Sequence, residues 1–474
     1  MVNKLFVSIP YIYPVCPLSI DHSRMFVIAD IVARHARKNG AEVAFPVASH
    51  YSGNTAQNIS LSFSRIFSGE SATEQEKKFL TLFEKIYSTP GYVLKNFVNP
   101  LVLLDYYSQE ILQELKILNV SCDYEYFYTT KREDFAAFVG QVMSEYKSRG
   151  LLIKNGKGGL SLNYDDLQWK SEVIALFDRT NFIQPSQKST VLAAMKNVRS
   201  DWGFLRKGGY GVRYGNDWVI DPMFDSELFT IFDLYVFSIR GGQLNMREAG
   251  KFFENLFDVL REGKTTNDPM IKKIEEFLPC DLFICEEHLK NWVVKRMYAE
   301  TCFLPEKYRT KGYFVTGMGL LNGKRMSASR GNAILTKDLI KKYGPILARL
   351  IMLFTGGHPS KFYHYDYSLP EQVEKMLNSF KNHLLLLHSV EDKQGETNEK
   401  KFLALLEETR KKIESLLERG FFRQAIVELL VLAPKKFMRV SKDQAGKILD
   451  LYARYTDILL PGLMENYNLI NKIC

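Results

Sequence analysis

The apolar and polar positions of the first fifty residues follow a strand–helix–strand pattern. The run KLFVSIPYI (4–12) is rich in β-branched and aromatic residues, and AEVAFPVA (41–48) is a second such run. Between the two runs, apolar residues recur at helical spacing: Met25, Ile28, Val32 and Ala36. Gly40 is placed to end this helix. The pattern predicts a βαβ unit, which begins a parallel sheet with a ligand at the carboxyl ends of its strands.

Further along the chain the periodicity changes more than once. Residues 57–147 are predicted to be mostly helical, and NGKGGLSLNYDD (155–166) is a polar, glycine-rich connection. A second sheet-forming part begins near RKGGYGVRYGNDWVIDP (206–222). From about residue 346 onward, charged and leucine-rich faces alternate as they do in helices of a bundle.

Composition narrows the class of protein. A chain of 474 residues with 46% apolar content can form two or three domains. It has no run of eighteen apolar residues, so we expect no membrane span. The six cysteines show no CxxC spacing, which favours a reducing cytoplasm and predicts no metal site. The net charge of +9 permits a polyanionic partner such as RNA without requiring one.

Two short segments carry candidate chemistry. In PLSIDHSRM (17–25) a histidine stands between strand and helix, a common place for phosphate chemistry, yet Asp21 stands where glycine would favour a nucleotide. The segment GKRMSASRGN (323–332) contains three basic residues. Taken alone it fits a solvated surface loop. The alternative is a mobile cationic loop that closes over a polyphosphate.

These segments resemble the HIGH turn and the KMSKS loop of class I aminoacyl-tRNA synthetases. The chain is especially similar to archaeal-type leucyl-tRNA synthetases, through segments in the same order along nearly its whole length: FPVASHYSGNTA, LKILNVSCDYEYFYTT, RSDWGFLR, WVIDPMFDS, FLPCDLFICEEHLKNWV and LLPGLMENY. The resemblance implies an α/β fold. A Rossmann-like catalytic domain with a reduced helical insertion would be followed by an all-α, anticodon-binding-like helical bundle.

The same resemblance divides the chain. Residues 1–150 would form the first half of the catalytic domain with a helical excursion, and 151–195 a reduced connective insertion. Residues 196–345 would form the second half with the KMSKS-like loop, and 346–474 the bundle. The family's large editing domain would insert at 151–195, so we expect it to be absent here.

The nucleotide side departs from the family pattern. The four HIGH positions are Ser19, Ile20, Asp21 and His22, so Asp21 places a carboxylate where a triphosphate would dock, unless it caps the helix instead. The two KMSKS lysines correspond to Arg325 and Ala328, with Lys324 and Arg330 as possible substitutes. A glycine-rich turn that would lie against the ribose is Ile284-Cys285-Glu286 here. By resemblance, the nucleotide-binding positions are Ser19, Asp21, Glu287, His288, Met326, Ser327 and Ser329.

The positions that would bind the amino acid match the family pattern more closely than the positions that would bind the nucleotide. By resemblance, the amino acid would be held by Tyr13, His50, Ser52, Asp225 and Ser226. Each of these has an ordinary structural alternative: a strand-end aromatic for Tyr13, a core histidine for His50, and a helix cap for Asp225-Ser226. Catalytic roles are assigned to His22, His50, Lys324 and Arg325.

An aminoacyl pocket with weakened ATP chemistry predicts a transferase. It would move an aliphatic aminoacyl group, leucine by resemblance, from charged tRNA to a small-molecule or peptide amine, and would hold no tight cofactor. One alternative is an unedited ligase that uses ATP and Mg²⁺. A second is a non-catalytic binding protein. The basic residues Lys435, Lys436, Arg439 and Lys442 would be either a solvated helix face or an RNA contact.

Overall fold

The computed structural model describes residues 3–70, 72–155, 159–183, 185–286, 290–356, 361–390 and 399–465. These residues fall into two compact units. The first unit comprises Met1–Pro17, Glu42–Gln113 and Cys122–Val315. The second comprises Leu18–Ala41, Glu114–Ser121 and Thr316–Cys474. The division of the chain into segments 1–150, 151–195, 196–345 and 346–474 remains a prediction.

Short strands are distributed along both halves of the chain. Their bounds are β1 Lys4–Ser8, β2 Glu42–Ala44, β3 Ala48–Ser49, β4 Tyr128–Thr129, β5 Leu152–Lys154, β6 Leu160–Leu162, β7 Asn181–Phe182, β8 Leu205–Lys207, β9 Arg213–Tyr214, β10 Trp218–Ile220, β11 Leu282–Glu286, β12 Gly312–Thr316, β13 Gly319–Leu321, β14 Lys324–Arg325 and β15 Tyr363–His364.

Helices make up most of the remainder. Those before the second half of the chain are α1 Ile20–Lys38, α2 Thr55–Phe67, α3 Glu74–Thr81, α4 Gly91–Leu94, α5 Pro100–Ile117, α6 Glu133–Ser148, α7 Leu167–Arg179, α8 Pro185–Lys196, α9 Pro222–Asp225 and α10 Phe229–Ser238. The later ones are α11 Met246–Glu262, α12 Pro269–Phe277, α13 Lys290–Phe303, α14 Thr336–Phe354, α15 Leu369–His388, α16 Glu399–Glu418, α17 Phe422–Val427, α18 Ala433–Lys436 and α19 Lys442–Leu459. None of these described helices is long and apolar enough to cross a membrane.

The first unit is built on a five-stranded sheet in the order β2-β1-β11-β12-β7. β1 pairs in parallel with β2 and with β11, and β12 pairs in parallel with β7, as the βαβ pattern predicts. The edge strand β7 lies inside the segment that was predicted to be a helical insertion. That segment also contains β5, β6, α7 and most of α8, so it holds short strands as well as the predicted helices.

The second unit is helical apart from the small sheet β14-β13-β15. Within it, α1 packs against α14 and α19. Asp30 of α1 is fully buried and pairs with Arg349 of α14 at 2.8 Å, and Arg34 bonds the same carboxylate at 3.0 Å. After residue 346 the described residues form helices apart from β15, so the helical pattern predicted there is confirmed except at 363–364.

Candidate functional site

The candidate residues divide between the two units. The HIGH-like turn and the basic segment 323–332 belong to the second unit, and the aminoacyl candidates to the first. Glu287 and His288 lie outside the described residues, as does the side chain of Ser329.

At the N-terminus of α1, Ser19 and His22 contact each other. Ser19 occupies the N-cap position, and its backbone N–H donates to Nδ1 of His22 at 3.5 Å. Ser19 Oγ lies 3.1 Å from the same nitrogen. The following residue, Ile20, donates its N–H to Ile334 O at 2.9 Å. The two HIGH-like side chains that were expected near phosphate thus contact each other.

Asp21 is the second residue of α1 and does not cap it, so that alternative is wrong. Its carboxylate, 6% exposed, accepts the Gly319 N–H at 3.1 Å and the Tyr363 O–H at 2.6 Å. A side chain at position 319 would lie 2.7 Å from the Tyr363 oxygen, so glycine is needed there. Asp21 therefore ties α1 to the small sheet that carries the basic segment.

Arg24 packs against the ring of Tyr363. Its guanidinium carbon is 5.0 Å from the centre of the tyrosine ring, and the side chain is 1% exposed. Burial lowers the pKa of Arg24, while the nearby Tyr363 and Asp21 oppose this effect. Within the described residues its guanidinium nitrogens make no hydrogen bond.

The basic segment is a hairpin followed by a 3₁₀ turn. β13 and β14 pair antiparallel around Asn322 and Gly323, whose positive φ angles of 52° and 73° define a tight hairpin turn. Asn332 closes the segment, since it accepts the Ser327 N–H at 3.1 Å and donates to Arg325 O at 3.0 Å. The Asn-Gly pair was the sequence signal that predicts this hairpin.

Some side chains of the hairpin and the 3₁₀ turn are exposed to solvent, and others are buried. Lys324, Arg325 and Arg330 are exposed and make no ion pair within the described residues. Met326 and Ala328 are buried, at 5% and 6% exposure. The position that corresponds to the second KMSKS lysine therefore holds a buried methyl group.

In the first unit, His50 and Asp225 form a buried dyad. His50 follows β3 and is 7% exposed, and Asp225 ends α9 and is 3% exposed. His50 Nε2 lies 2.9 Å from Asp225 Oδ1, and Ser52 Oγ donates to Asp225 Oδ2 at 3.3 Å. If Nε2–H donates to the carboxylate, Nδ1 carries the lone pair. Three sequence-predicted aminoacyl residues are thus brought together.

Ser226 and Tyr13 serve local structure. Ser226 Oγ donates to Pro222 O and accepts the indole N–H of Trp292 at 3.1 Å. The Tyr13 hydroxyl accepts the Ala56 N–H at 3.2 Å, in the first turn of α2, and burial raises the pKa of Tyr13. Sequence analysis did not single out Trp292, which lies in the first turn of α13 and contacts Ser226.

A second polar chain that sequence analysis missed packs against His50. The rings of Tyr11 and His50 lie 5.3 Å apart, and the Tyr11 hydroxyl is 2.6 Å from that of Tyr128. Tyr128 donates to Asp233 Oδ1 at 2.7 Å. Burial raises the pKa of Asp233 to about 7. Tyr11 stands two residues before Tyr13 in the segment that follows β1, which was the available signal.

Asp233→Asn should flatten the pH dependence of stability between about pH 4 and pH 7. An aspartate in the unfolded chain loses its proton near pH 3.9, whereas buried Asp233 keeps its proton up to about pH 7. The unfolded state therefore binds fewer protons, and the free energy of unfolding falls as pH rises through this window, by roughly 4 kcal/mol. Urea unfolding at several pH values measures the slope. Exposed Asp201→Asn is the control, and an unchanged slope in Asp233→Asn would contradict the assignment.

Two further ionisable groups of this unit, Glu227 and Lys295, interact electrostatically with each other. Glu227 is 1% exposed and accepts hydrogen bonds from the hydroxyls of Tyr146 at 3.1 Å and Tyr164 at 3.3 Å. Burial raises its pKa to about 8. Burial also lowers the pKa of Lys295 to about 8, and its Nζ rests on the Trp202 ring. This side of the first unit therefore contains groups that titrate near neutral pH.

The segment Ile284-Cys285-Glu286 forms the end of β11 and is buried, with exposures of 0%, 0% and 3%. The prediction of a turn there is wrong, because the apolar run continues the strand.

Among the basic residues of the tail, Lys435, Lys436, Arg439 and Lys442 are exposed, and Lys436 pairs with Glu428 at 2.6 Å. No group of three potential metal ligands occurs in the described part of the chain.

Comparisons with known proteins identify relatives of this chain. No protein-family model matches the chain. Leucine–tRNA ligase 2 of Sulfolobus acidocaldarius is 29% identical over 153 residues, 32% of this chain and 15% of the relative. Leucine–tRNA ligase of Methanopyrus kandleri is 25% identical over 293 residues, 57% of this chain and 30% of the relative. The chain thus aligns with less than a third of the length of these relatives.

A solved structure shows the same fold. Methionyl-tRNA synthetase of Mycobacterium tuberculosis, in complex with methionyl-adenylate, superposes with a TM-score of 0.67 at 11% identity. The superposition covers 97% of this chain and 92% of that one. The chain therefore shares the fold of that structure, with a Rossmann-like parallel sheet as the sequence predicted, and parts of it are similar in sequence to archaeal leucine–tRNA ligases.

Proposed function

For this class I synthetase-like chain related to archaeal leucine–tRNA ligases, we propose a tRNA-dependent aminoacyl transferase. It moves an aliphatic aminoacyl group, leucine by relationship, from charged tRNA to a small-molecule or peptide amine. The observation that carries the proposal is the buried dyad of His50 and Asp225 at 2.9 Å, because amine attack on an ester needs a positioned base.

The step needs no activating nucleotide. The amine attacks the carbonyl carbon of the aminoacyl ester, a C–N bond forms, and the C–O bond to the terminal ribose breaks. His50 takes the proton from the attacking nitrogen and returns it to the leaving ribose oxygen. Asp225 holds the ring orientation and stabilises the imidazolium that forms in between. Because esters already react with amines, positioning supplies much of the remaining acceleration.

The second unit supports the loss of ATP chemistry. At position 328 the KMSKS-like segment carries a buried methyl group, and Ser19 and His22 bond each other at the α1 turn. Losing one preorganised charge-stabilising donor costs roughly 3 kcal/mol of transition-state stabilisation.

An ATP-dependent ligase is the second candidate. Lys324, Arg325 and Arg330 are exposed and unpaired within the described residues, so they are available to a polyphosphate. ATP with Mg²⁺ would then be the substrate, and tRNA or another acceptor would receive the amino acid. A non-catalytic binding protein would show neither activity.

Two assays separate these functions. The first is amino-acid-dependent ATP–pyrophosphate exchange with each standard amino acid, with a leucyl-tRNA synthetase as positive control. The second follows consumption of leucyl-tRNA in the presence of candidate amines. We expect no exchange and amine-dependent ester loss. Exchange with one amino acid would overturn the transferase in favour of the ligase, and inactivity in both assays would favour a binding protein.

Ala328→Lys should fail to restore exchange, even when combined with Ser19→His. Position 328 is 6% exposed, so a lysine must either bury its chain or displace the 3₁₀ turn, at a cost of about 1–3 kcal/mol of stability. Exchange and thermal unfolding of the variant measure the two effects. Asn322→Lys, at the exposed hairpin turn, is the matched control for added charge. Appearance of exchange in Ala328→Lys would show that only the missing lysine blocks activation.

A further inference from the structure

A buried arginine of the second unit has no protein acceptor for its hydrogen-bond donors. Arg24 of α1 is 1% exposed, and its Nε, Nη1 and Nη2 atoms are enclosed and make no hydrogen bond within the described residues. An arginine does not escape burial by losing its proton, since its side chain stays charged in proteins. A buried charge is strongly unfavourable unless a partner compensates it. The guanidinium of Arg24 therefore calls for an anion.

The carboxylate near Arg24 is already engaged with other donors. Asp21 and Tyr363 are the groups whose charges act on the pKa of Arg24 and oppose the lowering that burial causes. Asp21, however, accepts the Gly319 N–H at 3.1 Å and the Tyr363 O–H at 2.6 Å, and it accepts no hydrogen bond from Arg24. Tyr363 presents its ring to the guanidinium at 5.0 Å. An aromatic ring attracts a cation but carries no net charge, so it leaves the charge of Arg24 uncompensated.

Gly356 borders a small space beside this guanidinium. A Cβ built on Gly356 would lie 3.8 Å from Nη2 of Arg24 and 3.0 Å from Cβ of Tyr363. The φ angle of Gly356 is 73°, in the left-handed region that favours glycine, so the backbone itself keeps a side chain out of this space. A position that would hold one methyl group suits a monatomic anion, which has a similar radius. It is too small for a phosphate group.

We propose that Arg24 binds a halide ion, chloride in ordinary solution, at the position bordered by its Nη2 atom, Gly356 and Tyr363. The ion supplies the missing counter-charge for the guanidinium. It lies next to the small sheet of the second unit, because Tyr363 of β15 pairs in register with Gly319 of β13. The site would therefore stabilise the contact between α1 and the sheet whose hairpin carries the basic segment. It is independent of the proposed function, since all its groups belong to the second unit.

Crystals of the full chain grown in sodium bromide test the site directly. Bromide replaces chloride and scatters anomalously at its absorption edge, so we expect an anomalous peak in contact with Nη2 of Arg24. Crystals of the Arg24→Met variant, in which an uncharged side chain of similar length replaces the arginine, should lack this peak. Absence of the peak in the unmodified chain, or the same peak in the variant, would overturn the proposal.

Chloride should also stabilise the folded chain in solution. Urea unfolding is measured at constant ionic strength while chloride replaces gluconate, an anion too large for the site. An ion that binds only the folded state should raise the folding equilibrium constant about tenfold for each tenfold rise in chloride above its dissociation constant. Arg24→Met should lose this dependence. In gluconate the variant should be at least as stable as the unmodified chain, because an apolar side chain replaces an uncompensated charge.

Arg423 provides the matched control, because it is a second arginine of this unit that approaches Gly356. Its Nη1 atom donates to the carbonyl oxygens of Phe354 and Gly356 at 3.4 and 3.3 Å, and its guanidinium lies 5.2 Å from the Phe354 ring. Arg423→Met should therefore keep the chloride dependence, whatever its effect on stability. Equal chloride dependence in Arg24→Met and the unmodified chain would contradict the site. If Arg24→Met does not fold, the bromide peak in the unmodified chain still decides.

Discussion

Asp225→Asn should lower the rate of aminoacyl transfer about a hundredfold or more. The asparagine keeps the size of the side chain but removes the charge that His50 Nε2 contacts at 2.9 Å. An amide can also present its N–H₂ to the ring, which favours the tautomer with the proton on Nδ1 and so removes the base. General base catalysis contributes roughly 10²–10⁴-fold to a rate. The measurement is ester loss from leucyl-tRNA at saturating amine, across a pH series.

The controls separate this effect from a loss of fold. Ser52→Ala removes only the 3.3 Å bond to the second carboxylate oxygen and should change the rate several-fold at most. Asp201→Asn removes a charge that is 70% exposed and should change nothing. His50→Gln should resemble Asp225→Asn, and the double variant should be no slower than either single one. Additive losses, or an unchanged rate in Asp225→Asn, would contradict a role for the dyad as a unit.

The parts of the fold that sequence could predict are long and periodic. The helical spacing of Met25, Ile28 and Val32 predicted α1, and the flanking apolar runs predicted β1 and β2. A helix of 19 residues offers several turns of pattern, and a parallel sheet needs nearly continuous apolar strands.

What sequence could not supply was the pairing of distant residues. Asp21 and Gly319 are 298 positions apart, and His50 and Asp225 are 175 apart. No local pattern indicates that the Asp21 carboxylate accepts a backbone N–H of β13. The Asp21 carboxylate, expected where a triphosphate would dock, instead accepts hydrogen bonds from the Gly319 N–H and the Tyr363 hydroxyl. Tyr11 and Asp233 were missed for the same reason, since their link passes through Tyr128.

Asp30→Ala should lower the free energy of unfolding by about 3–5 kcal/mol, because it leaves the Arg349 guanidinium buried without its counter-charge. Arg349 is 1% exposed, and it also donates to the carbonyl oxygens of Leu118 and Leu459, at 2.9 and 3.4 Å. Asp30 also accepts the Ser121 N–H at 2.7 Å, so the substitution removes several bonds at once. Guanidinium unfolding followed by far-ultraviolet circular dichroism measures the change.

A surface ion pair between α1 and α19 provides the matched control. Asp457 pairs with Lys38 at 2.8 Å and is 38% exposed, so Asp457→Ala should cost less than about 1 kcal/mol. The double variant Asp30→Leu/Arg349→Met should recover part of the loss, since it removes both buried charges and replaces them with apolar volume. Equal destabilisation by Asp30→Ala and Asp457→Ala would contradict the argument. Asp30 lies on α1, whose N-terminus carries Ser19 and His22. Recovery of stability in the double variant, without any change at that N-terminus, would show that packing holds α1 in the second unit and that the specific charge pair does not.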